Sequence, residues 1–248
     1  MKIKIINPNT SQHMTDSIQQ VALKAATPGT EVWSVSPRTG PDYIGGYLDR
    51  AVAVPGLLEE IVKGDLEEGA DAFVIACFSD PGLNAARQVT TKPVIGIAQS
   101  AMSLMHMLAH NFTFFFPGDP EEDPYVYEQL YRYGFERFYS GTHCVGIPIL
   151  ELEKDYDRTL KALVKHGKQA IEEEGSEGLI LGCAGLAIFG DDLRDLLPVP
   201  VLDGVSTAVM IAEAMVRLKV QTSKICGYKF ATKKEMCGYE FLHQVLAK

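Results

Sequence analysis

Two cysteines stand where thiol chemistry is possible. Cys77 lies in FVIACFSDPG (73–82) and Cys183 in LILGCAG (179–185), each at the end of an apolar stretch and each followed by a turn and a helical segment. A turn's backbone N–H groups and the positive end of a helix favour a thiolate, so both thiols are expected to ionise more readily than an ordinary cysteine. A small molecule held between two thiols, one ionised and one not, loses a proton on one face and regains one on the other. That is the arrangement of a two-base racemase or epimerase.

Other residues offer less. Asn7-Pro8-Asn9-Thr10-Ser11 reads as a turn with a helix cap at Thr10 or Ser11, and equally as a substrate contact. His106 and His110 are four apart on a predicted helix, but Met107 stands where H-E-x-x-H needs its glutamate, so no metal is expected. G-K-[ST] is absent, which removes a phosphate loop. The five cysteines are odd in number and lack a C-x-x-C, which argues for free thiols over a disulfide framework or a zinc site. Cys144 reads as strand filler, and Cys226 and Cys237 as tail residues. The run Glu172-Glu173-Glu174 and the acidic stretch 119–124 read as solvated helix end and loop.

Elements that hold the cysteines follow from periodicity. Apolar, β-branched stretches near 3–6, 31–36, 71–77, 94–97, 112–116, 144–149, 178–183 and 199–203 alternate with helical segments, which implies βαβ units and parallel sheets. One helix should end before Thr27-Pro28-Gly29. The next should begin at Pro55, carry Leu57, Leu58, Ile61 and Val62 on one face and stop near Gly69. Leu160, Leu163, Val164 and Ile171 form a core stripe on a third. The pattern also repeats: Cys77 precedes Pro93 by 16 residues and Cys183 precedes Pro200 by 17, while KIKII (2–6) has a counterpart in FTFFF (112–116) 109 to 110 positions later. The cysteines are 106 apart. The expectation is an α/β fold of two similar lobes related by a pseudo-two-fold duplication, each a mostly parallel sheet flanked by helices, with the active site in the cleft between them. The first lobe is 1–100, with 205–248 returning to it, and the second is 101–204. The site belongs beyond the carboxyl ends of the strands.

Of 248 residues, 46% are apolar and 22% charged, which suits a globular chain with a real core. A formal charge of −9 disfavours a general nucleic-acid or anionic-membrane partner. Lys2 and Lys4 break the apolar start, so no secretory signal is expected, and no stretch approaches a membrane span. A cytoplasmic location is the resulting expectation.

INPNTS (6–11), IACFSDPG (75–82), PVIGIA (93–98), LGCAG (181–185) and PVLDGV (200–205) come in order along nearly the whole chain, with EVWSVSPRTGP (31–41), Gly46-Tyr47 and QTSK (221–224) beside them. They resemble the Asp/Glu/hydantoin racemase superfamily, in its hydantoin and allantoin racemase branch. The resemblance implies two α/β lobes around a cleft and cofactor-independent chemistry. Cys77 and Cys183 become the acid/base pair, with Asn7, Asn9, Tyr47, Phe78, Ser79, Ala184 and Gly185 holding the substrate. The expected activity is racemisation of a 5-substituted hydantoin, whose C5 hydrogen lies α to a carbonyl; backbone N–H groups of the cysteine turns would support the enolate. Allantoin and acidic amino acids are the alternatives, the latter disfavoured because no Arg or Lys adjoins either cysteine turn and Arg87 is ten residues on. A non-catalytic binding protein on the same fold is the alternative of another class. The chain departs from the family pattern at Phe115-Phe116-Pro117, where threonines are usual, which suggests a more apolar wall. A homo-oligomer is expected only because homo-oligomers are common among soluble enzymes.

Overall fold

The protein is described by a computed structural model covering residues 1–118 and 126–246, so the acidic stretch 119–124 lies outside the described residues. The first sheet contains β1 (Lys2–Ile6), β2 (Glu31–Val35), β3 (Ala72–Ile75) and β4 (Val94–Gly96), all parallel, in the order β2-β1-β3-β4. The second contains β5 (Phe112–Phe116), β6 (Tyr139–Cys144), β7 (Leu179–Leu181) and β8 (Val201–Asp203), also parallel, in the order β6-β5-β7-β8. The two orders are the same permutation of consecutive strands, so one βα unit occurs twice. Central strands covered by helices on both faces should be apolar throughout, and β3 and β7 are buried at every position. Lys4 breaks the rule on β1: it is fully buried, and Glu60 and Glu68 close on its Nζ at 2.8 and 2.7 Å.

β6 corrects the sequence reading, which expected the strand at 144–149. The polar stretch Tyr139–Cys144 pairs instead, because β5 needs a backbone partner at this edge. The apolar residues after it turn inward, and Val145 and Ile147 join the core beneath the second sheet.

α1 (Gln12–Ala25) is capped by Ser11, whose hydroxyl accepts the Met14 N–H, and it ends before Thr27-Pro28-Gly29. α2 (Tyr47–Lys63) begins well before Pro55, contrary to expectation. Asp49 explains the earlier start: its carboxylate accepts the N–H groups of Gly45 and Gly46, both at 3.0 Å, and satisfies donors that an uncapped helix start leaves open. A π turn (Gly64–Glu68) extends α2, and Gly69 ends it in the left-handed conformation.

α3 (Leu83–Val89) and α4 (Ile97–Met105) complete the first unit. α5 (Val126–Tyr133), α6 (Tyr156–Glu172) and α7 (Gly190–Leu196) belong to the second. α4 ends at Met105, so His106 and His110 share no helix: His106 packs on Phe138, with ring centroids 4.0 Å apart, and the His110 N–H is held by Glu177. Glu174 is also more than solvated helix end, since it binds His143 Nε2 at 2.9 Å.

α8 (Gly204–Arg217) lies against α4 and α1. Its Val205, Ala208, Val209 and Ala212 share one core with Ile3 and Val74 of the first sheet and Phe114 and Ile180 of the second. Gly204 is needed there, because a Cβ would stand 2.7 Å from that of Ile97. The chain then runs back over the first sheet, where Leu242 and, on α9 (His243–Leu246), Val245 and Leu246 pack with Leu57 and Ile61. Among the described residues no helix is long and apolar enough to cross a membrane.

Candidate active site

β3 and β7 occupy the same place in their sheets, and each delivers a cysteine two residues past its last paired position. Both cysteines open onto one cavity of about 160 Å³. The local geometry repeats too. The Cys77 sulfur faces the backbone N–H of Ser79 and, at 3.3 Å, its hydroxyl; the Cys183 sulfur faces the backbone N–H groups of Gly185 and Leu186. In each half the residue two positions after the cysteine turns its amide to the sulfur, so these N–H groups support a thiolate rather than a substrate oxyanion.

Burial outweighs that support. It pushes the Cys183 thiol up to about 12, against its N–H contacts and with the Cys77 charge adding to the rise. Burial raises the Cys77 thiol as well, with Ser79 and Arg50 opposing it. The lowered thiol pKa expected from the turns is therefore overturned, because removing a thiolate from water costs more than the oriented amides return. The mutual repulsion still matters, because it makes the pair resist carrying two charges at once.

The turn after Cys77 is braced from behind. Asp80 is fully buried with φ of 45°, its N–H returns to the Cys77 carbonyl at 2.9 Å, and its carboxylate accepts from the N–H groups of Ala98 and Gln99 at the start of α4. Gly96 leaves room for it, since a Cβ there would lie 2.3 Å from Asp80 Cγ.

Asn9, Phe78, Ser79 and Ala184 line the cavity as expected from sequence, and Asn7, Tyr47 and Gly185 do not. Asn7 is buried beneath Asn9, and its Nδ2 donates to Asn9 Oδ1 at 2.8 Å. Asn9 Oδ1 also accepts the Ser11 N–H, which turns Asn9 Nδ2 toward the void as a donor with only the Met14 sulfur, at 3.6 Å, beside it. Tyr47 starts α2 with 60% of its surface exposed and lies under the Arg50 guanidinium, so Tyr43, Ile44 and Gly45 line the cavity in its place. A helix that begins at Tyr47 points that side chain outward.

Arg50, Gln129 and Cys144 also line the cavity, although the sequence reading placed none of them at the site. Arg50 reaches the cavity from α2 and pairs with Glu128 of α5 at 3.2 Å, so a cation does stand near the cysteines although none adjoins them in the chain. Arg87, the sequence candidate, is spent on the Val94 carbonyl and Gln99. Gln129 enters from α5, and Cys144 is the strand residue expected, at the end of β6, but it also stands on the cavity wall. The aromatic departure resolves by strand alternation: Phe114 and Phe116 face the cavity, where Phe78 packs edge-on to both at 5.3 and 5.6 Å, while Phe115 faces the opposite core and stacks on His143. Gly182 admits the Phe116 ring, because a Cβ would lie 2.5 Å from it.

Two repeated α/β units closing on a cavity with one cysteine from each define a two-lobed enzyme of the racemase class. The family description Asp/Glu/Hydantoin racemase matches residues 3–212, and the chain belongs to that family as an isomerase. It is 44% identical to a hydantoin racemase of Pseudomonas sp. (strain NS671) over 96% of this chain and 95% of that one. A hydantoin racemase of Rhizobium meliloti is 38% identical over 97% of this chain and 99% of its own. Among solved structures, an allantoin racemase from Klebsiella pneumoniae is 40% identical, covers 96% of each chain and superposes with a TM-score of 0.91.

Proposed function

We propose that the chain racemises 5-substituted hydantoins, with Cys77 and Cys183 alternating as general base and general acid on opposite faces of C5. One observation carries this reading: two cysteines from equivalent strand ends share one small cavity. The thiolate of one takes the C5 proton, and the charge passes to the C4 carbonyl as an enolate. The neutral thiol opposite then protonates the other face, which leaves the pair with its charges exchanged and ready for the mirror-image substrate. Asn9 Nδ2 is the side-chain donor suited to the enolate oxygen.

Substrate class follows from the wall. Phe78, Phe114, Phe116, Met14, Val126 and Ile149 surround the void, which suits an apolar 5-substituent. Likeness to the Klebsiella pneumoniae allantoin racemase supports allantoin as a second reading. The polar ureido arm of allantoin would lose hydration against these rings with little in return. Arg50 does not favour an acidic amino acid, since Glu128 already balances its charge. The test is one enantiomer of 5-benzylhydantoin in deuterated water, with allantoin alongside: C5 should take up deuterium as optical rotation decays. Absence of exchange with 5-benzylhydantoin would sink the reading, and exchange with allantoin alone would transfer it to the second substrate.

A further inference from the structure

Gln129 is 4% exposed and lies on the cavity wall, yet its two amide atoms fare differently. Nε2 donates to the Phe78 carbonyl at 3.0 Å. Oε1 is buried and has no hydrogen-bond partner among the described residues. The amide cannot be turned over to relieve it, because that would set Oε1 against the Phe78 carbonyl, an acceptor facing an acceptor. A buried acceptor without a partner costs free energy, so it calls for a donor from something that enters the cavity.

The remaining polar atoms say which donor. Asn9 Oδ1 is taken twice, Asn9 presents Nδ2, and the lining adds the Arg50 guanidinium, so among the described lining residues the side-chain amides and charged groups otherwise offer N–H. A ring imide or ureide carries N–H as well as carbonyl groups, and donors alone would satisfy half of it. We infer that Gln129 is a specificity residue whose Oε1 accepts a ring N–H of the substrate, fixing the ring between the two sulfurs. The inference rests on the hydantoin reading above and adds the recognition of the ring nitrogen. It also gives α5 a role: Phe78 follows Cys77 directly, so one side chain ties the substrate's ring to the turn of the first base.

The experiment compares 5-benzylhydantoin with its 1-methyl and 3-methyl derivatives in wild type, Gln129→Leu and Gln129→Glu, reading KM and kcat separately. Leucine removes both amide atoms, whereas glutamate in the protonated form that burial favours keeps a hydroxyl donor for the Phe78 carbonyl and an acceptor at this position. Wild type and Gln129→Glu should discriminate against one N-methyl derivative by about 10- to 100-fold in kcat/KM, chiefly through KM, the scale of one buried hydrogen bond. In Gln129→Leu that penalty should shrink to about threefold or less, within the spread of a neutral site. Gln129→Met takes the place of leucine where the leucine variant fails to fold, as judged by circular dichroism. Equal discrimination in all proteins makes Gln129 a brace for Phe78 and overturns the inference while leaving the racemase reading intact. Wild-type protein inert on the unmethylated hydantoin overturns both.

Discussion

The Tyr133 hydroxyl donates to Asp80 Oδ2 at 2.8 Å, tying α5, which follows the second sheet's first strand, to the turn that carries Cys77 in the first half. Burial pushes the Asp80 carboxyl up to about 6 against three hydrogen bonds, and burial beside this carboxylate raises the tyrosine far above its usual range. Asp80 thus holds a helix start, the turn after Cys77 and the opposite half together. Asp80→Ala should lower Tm by about 2–8 °C, the scale of a lost helix cap in a chain of this size, and cut kcat by about tenfold or more as the turn relaxes. Asp80→Asn should retain the left-handed backbone at φ 45° and most of the activity. The raised carboxyl also sets a sign: the fold favours protonated Asp80, so wild-type stability relative to Asp80→Asn should fall as pH rises from 3.8 through about 6. Paired thermal melts across that window check it.

The proposed mechanism requires that replacing either cysteine stop inversion. Cys77→Ser and Cys183→Ser are each expected to lose about 100- to 10,000-fold in kcat/KM, the usual contribution of a positioned acid or base. Both should keep the wild-type fold by circular dichroism, since serine is nearly isosteric. A variant within tenfold of wild type would remove that cysteine from the proton path.

The pH profile should rise, not peak, near neutrality. Reaction needs one thiolate, and burial holds both thiols above their ordinary value of 9, Cys183 at about 12. kcat/KM should therefore climb by up to about tenfold per pH unit from 7 toward 9, and fall only where the second thiol ionises. Iodoacetamide should label Cys77 along the same curve, with substrate protecting it. Stability has the opposite slope: the fold favours the protonated thiols, so their contribution is complete below 9 and is lost at higher pH.

Phe116 and Gly182 set the size of the wall. Gly182→Ala should push the Phe116 ring into the void, because the added carbon would meet it at 2.5 Å, and should penalise bulky 5-substituents more than methyl. Phe116→Ala should do the reverse and admit larger groups. A ratio of kcat/KM for 5-benzylhydantoin over 5-methylhydantoin that moves the same way in both variants would contradict this wall.

Tyr47 and Arg50 separate what lies outside the cavity from what lines it. Tyr47→Phe should remain within about twofold of wild type, as expected for an exposed ring. Breaking the partly exposed Arg50–Glu128 pair by Glu128→Gln should change KM by no more than about fivefold, and the effect should shrink with added salt.

What was legible in the sequence was whatever repeats along it. Cysteines 106 residues apart, each at the end of an apolar strand, announced equivalent positions in two parallel sheets. The strand at 139–144 was not legible, because its pairing is imposed by the neighbour β5 and its residues are polar. Arg50 and Gln129 escaped because they arrive from helices far from either cysteine in the chain, and nothing in their local pattern marks which way they face. Gln129 left a faint trace: a polar residue among the apolar positions Val126 and Leu130 of α5 is out of place unless something needs it. The thiol shift was misread since turn geometry is local, whereas burial depends on everything that encloses the sulfur.

α8 closes the seam between the sheets, and that placement dictates an order of events at the ribosome. Cys77 leaves the exit tunnel early, with three strands of its own sheet already ahead of it and only β4 to follow. The core beneath that sheet, begun by α1 and α4, stays incomplete until Val205, Ala208, Val209 and Ala212 arrive. A nascent chain therefore carries Cys77 long before it has a finished chamber. Premature termination before α8 leaves an exposed apolar face with no competent enzyme behind it, the kind of surface on which chaperones and proteases act.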